Sequence, residues 1–217
     1  MADTQTLGNW VVPNNYIYIS HLVGEKYLDG TEIEDPYFLI PTDPDTISDS
    51  LGSSWQETTA LSRTAPIMTY SNSGPRKVQF SFKLHRDMMD DLNVKLSNFK
   101  LGEDGRSEDY VDALIRILQS IALPKMNLSN KLIEPPMVAV KIGSQIFIKG
   151  VVNGGVTVSY EKPMLYPDGK YAVATVSFEV TEIDPYSSTG IYTNGSFRGL
   201  TSTMKEKMTT LYSNISK

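Results

Sequence analysis

The stretch 156–186, VTVSYEKPMLYPDGKYAVATVSFEVTEIDPY, constrains the fold more than any other. In its second half Ala172, Ala174, Val176, Phe178 and Val180 alternate with Tyr171, Val173, Thr175, Ser177 and Glu179. Successive side chains of a strand point to opposite faces, so this period of two predicts a strand with one apolar face. Val156, Val158 and Tyr160 repeat the pattern in the first half, and Pro167, Asp168 and Gly169 supply turn chemistry between them. The stretch therefore predicts a β-hairpin whose apolar side the rest of the chain must cover.

Further segments supply that cover. Residues 77–84 alternate cleanly, with Val78, Phe80, Phe82 and Leu84 inward, as in an antiparallel sheet with one wet face. Residues 16–19 and 37–40 are short strand candidates, the second stopped by Pro41. After Pro135 and Pro136, residues 137–142 form a strand, Gly143 and Ser144 a turn, and 145–152 a returning strand. Gly154 and Gly155 then permit a bulge or a close backbone contact. One helix is predicted over 107–121. Ser107 caps it, Glu108 and Asp109 suit its positive end, and Pro124 stops it. Tyr110, Val111, Leu114, Ile117, Leu118 and Ile121 give it an apolar stripe that reads as a sheet-facing surface.

Two regions lack such periodicity. Residues 41–76 carry Pro41, Pro44, Pro66 and Pro75 among many Ser and Thr, and read as an extended segment or long loop. A loop of that length in a compact domain is usually functional or held by a partner. Trp55 and Arg63 stand out in it; Trp55 either packs the loop onto its own domain or anchors it on a neighbouring subunit. Beyond Pro185 the chain turns polar, and Met204, Met208, Leu211 and Ile215 mark a short helix able to dock on this chain or another. The expected organisation is one β domain over 1–186, with an arm at 41–76 and a helix at 107–121, followed by a C-terminal extension over 187–217.

Composition narrows the function. With 40% apolar and 21% charged residues in 217, the chain is globular in character. It has no cysteine, which excludes disulfides, thiolate metal sites and thiol catalysis. Its net charge of -5 and scattered Lys and Arg argue against specific nucleic-acid binding. No stretch is apolar enough for a membrane helix, and the first ten residues do not read as a secretion signal. The two histidines, His21 and His85, stand far apart, and no zinc, phosphate-loop, dinucleotide or nucleophile-elbow motif occurs. Asp87, Asp90 and Asp91 lack the spacing of a calcium loop and read as a solvated face. No catalytic residue, cofactor or metal ligand is assigned, and a scaffold is favoured over an enzyme. Two alternatives stay open. A wall-carbohydrate module would use some of the 12 tyrosines, although Tyr160 lies on the apolar side of its strand, where core packing is expected. A hydrolase would use Glu179 and Glu182 as a carboxylate pair.

Two segments, FLIPTDPDTISDSLGSSWQETTALSRTAPIMTYSNSGPRKVQFSFKLHRD and, later, PPMVAVKIGSQIFIKGVV followed by VTVSY and KPMLYPDGKYAVATVSFEVTEIDP, together resemble baseplate and tube-adaptor proteins of contractile phage tails and related injection machines. The resemblance covers about half the chain and rests on the order of strands and turns. It implies a mainly β (α+β) subunit, a tail-tube-like antiparallel sandwich or barrel with one packed helix and extended arms. It further implies a structural virion protein, assembled in the bacterial cytoplasm, that joins the tail tube or hub to surrounding wedge or sheath components. A ring, hexameric in expectation, follows, with a lumen through which DNA passes without specific binding. Trp55, Arg63, Tyr70, Tyr186 and Phe197 are the inter-subunit contacts expected on this reading. A wall-binding module seen at one end of some such proteins has no convincing copy after Tyr186.

Overall fold

The computed structural model describes residues 6–7, 10–26, 32–59, 61, 64–88, 110–127, 132–162, 169–184 and 187–214. The protein is mainly β, built on one seven-stranded antiparallel sheet. Its strands are β3 (Asn15–Ile19), β4 (Tyr37–Leu39), β5 (Pro44–Ser50), β8 (Lys77–His85), β11 (Val138–Ile142), β12 (Ile146–Tyr160) and β13 (Val173–Glu182). They lie in the order β4-β3-β11-β12-β13-β8-β5. Among the described residues there are also three two-stranded ribbons: β1 (Thr6–Leu7) with β2 (Trp10–Val11), β6 (Ser53–Thr58) with β7 (Ile67–Ser73), and β9 (Lys125–Asn127) with β10 (Leu132–Glu134).

The hairpin read from 156–186 is the centre of this sheet. Val156 pairs with Phe178 and Val158 with Val176, and Ala172, Ala174, Val176, Phe178 and Val180 are all buried. Its predicted turn at 167–168 lies outside the described residues. The return at 145–152 and the first arm at 156–160 are a single long strand, because Gly154 and Gly155, with φ of 78° and 84°, make a bulge that shifts the register between Asn153 and Val156. Few residues other than glycine adopt that backbone without strain.

The two edge strands of the sheet, β4 and β5, are consecutive in the chain, joined by residues 40–43. Five residue steps reach at most about 18 Å. Seven strands laid flat would hold their edges about 29 Å apart at the usual spacing. The sheet therefore curls strongly. Asn15 pins the connection at its edge, donating to the Thr42 carbonyl at 3.0 Å and to Asp43 Oδ1 at 2.8 Å.

Helix α1 (Tyr110–Ser120) covers the apolar face. Its Tyr110, Val111, Leu114, Ile115 and Leu118 join one core with Phe80, Phe82, Phe178, Ile17, Val140 and Ile148. Tyr110 is wholly buried and donates to the Leu39 carbonyl at 3.0 Å. Three phenylalanines, Phe80, Phe82 and Phe178, pack ring to ring at 5.5–6.2 Å. The expected helix start at 107–109 lies outside the described residues.

The C-terminal stretch holds the short helix read from Met204, Met208 and Leu211 and adds a second helix before it. It forms helix α2 (Ser188–Asn194), a 3₁₀ turn (Gly195–Phe197) and helix α3 (Ser202–Asn214). Ser187 caps α2 by accepting from the Gly190 amide at 3.2 Å. α3 lies on the reverse face of β3, β4 and β11. Met208 is buried in the core, Tyr212 meets Tyr16 edge-on at 6.5 Å, and the Tyr212 hydroxyl donates to the Val12 carbonyl. β3 and β11, both read as strands from the sequence, are therefore covered on both faces.

The region 41–76, read as an extended segment or a long loop, takes the extended form. It is β5 followed by the β6–β7 ribbon, a long two-stranded arm and not a loop. Every described residue of 53–73 is exposed. A strand wet on both faces carries no apolar alternation, so periodicity cannot announce it.

Candidate functional site

The arm begins where β5 and β8 leave the sheet. The Gly74 amide donates to the Gly52 carbonyl at 2.9 Å, and beyond that bond only β6 and β7 remain paired. Six residues of β6 carry the ribbon about 20 Å outward. Cross-strand partners share a face, so Trp55 with Tyr70 and Glu57 with Met68 lie together. The Trp55 and Tyr70 rings meet edge-on at 5.4 Å, yet they stay 54% and 50% exposed, as Met68 does at 54%. Trp55 Nε1 donates to Ser53 Oγ at 3.0 Å, and the Tyr70 hydroxyl bonds Ser73 Oγ. The aromatic pair is thus braced by its own ribbon, with the rest of the chain leaving it uncovered.

Arg76 fixes the base of the arm. Its guanidinium donates from Nη2 to Asp49 Oδ2 at 2.6 Å and from Nε to Asp49 Oδ1 at 2.9 Å, a fork on the last turn of β5. Nη1 donates to the Phe147 carbonyl at 3.1 Å and Nη2 to Ser196 Oγ at 3.0 Å. One buried side chain therefore ties the arm, the central strand and the C-terminal segment together. Beside it the buried Glu182 pairs with Arg198.

Strand edges form the second part of the site. β11 pairs with residues 146–150 of β12 only. Extending that register would set 137, 136 and 135 opposite 151–153, but Pro135 and Pro136 have no amide hydrogen and the chain leaves the sheet. Among the described residues no strand lies beside 151–160 on that side. On the opposite border β5 is likewise open.

The other expected residues separate. Arg63 and Tyr186 lie outside the described residues. Phe197 packs half-buried against this chain's own core. Glu179 and Glu182 sit on opposite faces of β13: the first pairs with Lys77 and Asn153, the second with Arg198. Tyr160, expected in the core, is 47% exposed and stacks on Tyr171 at 5.4 Å, because the far half of β12 is only partly covered. His85 ends β8 half-buried. Among the described residues no three His, Cys, Asp or Glu gather as a metal site, and no helix is long and apolar enough to cross a membrane.

His21 is the unexpected titratable group. It is buried, and its Nε2 donates to the Ser120 carbonyl at the end of α1 at 3.1 Å. Among the described residues its Nδ1 has no partner. Burial pulls its pKa below the usual imidazole value, against the opposing pull of the Ser120 bond. Sequence offered no signal for this placement, nor for the ionic base around Arg76. The arm itself left one trace, since Trp55, Met68 and Tyr70 are apolar in an otherwise polar region.

No protein-family model matches the chain, and no curated protein is significantly similar to it.

Proposed function

We propose that this chain is a structural subunit of a contractile phage tail baseplate, a tube initiator or hub–wedge adaptor that assembles with copies of itself into a ring, hexameric in our reading. The observation that carries the proposal is the pair of open edges on one half of the sheet. Ser50, Lys77, Thr181 and Val151 share a row, and each neighbour in it is antiparallel. β5 thus runs opposite to residues 151–160. Two copies related by a rotation can set β5 of one beside β12 of the next and continue the antiparallel ladder. Such a head-to-tail contact closes into a ring when the rotation divides the circle. Exposed edges are otherwise an aggregation hazard. The finer tail-tube description of the fold belongs to this same reading, supported by the curled sheet with its single covering helix.

The carbohydrate alternative draws on the exposed Tyr160 beside the half-buried Tyr171, but those rings stack on each other, which leaves at most one face of each for a sugar.

The test is mass in solution together with an arm deletion. Replacing residues 53–73 by Asn-Gly closes the ribbon where Gly52 and Gly74 already meet. The shortened chain should melt cooperatively, as no described residue of 53–73 is buried, while ring assembly is lost. Wild-type chain that stays monomeric at every concentration overturns the proposal, and a shortened chain that assembles as well as wild type removes the arm from the contact.

A further inference from the structure

The β9–β10 hairpin is built inside out. Met126 and Ile133 are register partners on one face and are 67% and 64% exposed. Lys125 and Glu134 pair on the other face. Lys125 turns toward the body, its Nζ bonding the Val23 carbonyl at 3.0 Å and Glu25 at 3.2 Å. A wet hairpin normally turns its apolar side inward. Leu123, 65% exposed, adds to the uncovered surface.

We propose that this outward face is the seat for the arm of the adjoining copy, the Trp55, Tyr70 and Met68 side of the ribbon resting on Met126 and Ile133. The proposal rests on the edge pairing put forward above. Its first ground is position. The open edge of β12 starts at residue 151, where Pro135 and Pro136 turn the chain away from the sheet, and β10 directly precedes them. A neighbouring β5 laid on this edge runs toward residue 151, opposite to β12. It cannot go further in the same column, because β11 fills it. Its continuation, the arm, must leave the sheet there and pass over the hairpin that stands at that point.

The second ground is area. Edge pairing along the seven residues of β5 covers a strip about 23 Å long and about 10 Å deep, roughly 230 Å² per partner. A stable interface needs about 800 Å² per partner. The arm follows directly on β5, and every described residue of 53–73 is exposed. Two half-exposed aromatics alone offer roughly 200 Å², and the Met126–Ile133 face is of matching polarity. The ribbon's reach of about 20 Å exceeds the roughly 10 Å of the three-residue strands it would cover.

The absence of cysteine makes site-specific crosslinking clean. Chains carrying Met68→Cys are mixed with chains carrying Ile133→Cys and treated with a short bis-maleimide. A parallel mixture pairs Thr46→Cys with Thr157→Cys, which share an outward-facing row of the sheet and report the edge contact alone. We expect a crosslinked heterodimer in both mixtures, and at least a tenfold loss of the first product when Trp55→Ala is added. Crosslinking in the edge mixture only overturns the seat for the arm and leaves the ring standing. Crosslinking in neither mixture overturns both.

Discussion

Replacing Arg76 by methionine should destabilise the fold by about 3 kcal/mol and loosen the arm at its root. Methionine fills much of the side chain's volume, so the loss is chiefly polar. Three groups lose a donor: Asp49, the Phe147 carbonyl and Ser196 Oγ. A hydrogen bond to a charged group contributes about 1.5–3 kcal/mol, and a buried carbonyl left unpaired costs about 1–3 kcal/mol. The Asp49 carboxylate is 40% exposed against 8% for the Arg76 side chain, so water can re-solvate it and the sum falls toward the lower end. Ser196 keeps its contact with the Phe147 amide at 3.4 Å. Against a total of about 5–15 kcal/mol the change is large. Urea unfolding should show the midpoint falling by about 1–2 M at an unchanged slope of about 2 kcal/mol/M. Asp49→Asn should cost only about 1 kcal/mol, because its partner can still donate to the amide oxygen and to Phe147. If Arg76→Met unfolds within about 0.5 kcal/mol of wild type, or Asp49→Asn costs as much as Arg76→Met, the reasoning about burial at this site is wrong.

His21 gives the stability a pH dependence of known sign. Its pKa is lowered in the folded state, so below about pH 6.5 the unfolded chain binds a proton that the fold refuses. It contributes nothing above pH 7, and stability falls as the pH drops, by at most about 1.4 kcal/mol per unit. His21→Gln should flatten the unfolding midpoint between about pH 6.5 and 5 relative to wild type; an identical slope refutes the assignment. Gly150→Ala should be severe, about 3 kcal/mol or more, since a Cβ there would stand 1.9 Å from the Thr181 carbonyl oxygen and force β12 off β13. Gly154→Ala has open space around it and bears only the strain of its φ of 78°, about 1–2 kcal/mol. Thermal melts that reverse this order count against the strand register.

Strands with one dry face were readable because burial imposes a period of two on them. Residues 77–84 and 172–180 show it, and the structure buries the same side chains. Helix α1 was readable for the same reason at a period of 3.6, with Pro124 marking its end. β6 and β7 were not, because neither face is buried and nothing selects their side chains by parity. The C-terminal helix was readable from the spacing of Met204, Met208 and Leu211, while the surface it docks on was left open between this chain and another. α3 is mostly polar yet docks through a few residues, Met204, Met208, Leu211 and Tyr212, onto a sheet face that β3 and β11 leave apolar.

What the order of residues settled alone is the alternation and the breaks at proline, which act over a few neighbouring positions, whereas Gly154 and Gly155 permitted a bulge or a close contact and the register made it a bulge. What needed the folded chain is long-range: Arg76 reaching Asp49, Phe147 and Ser196, His21 closing on Ser120, and the curl that brings β4 and β5 near each other. Those depend on strand order and register, which couple residues 27 to 120 positions apart and leave no local pattern. The uncovered surfaces follow from the same cause, for a side chain is exposed only with respect to everything packed around it.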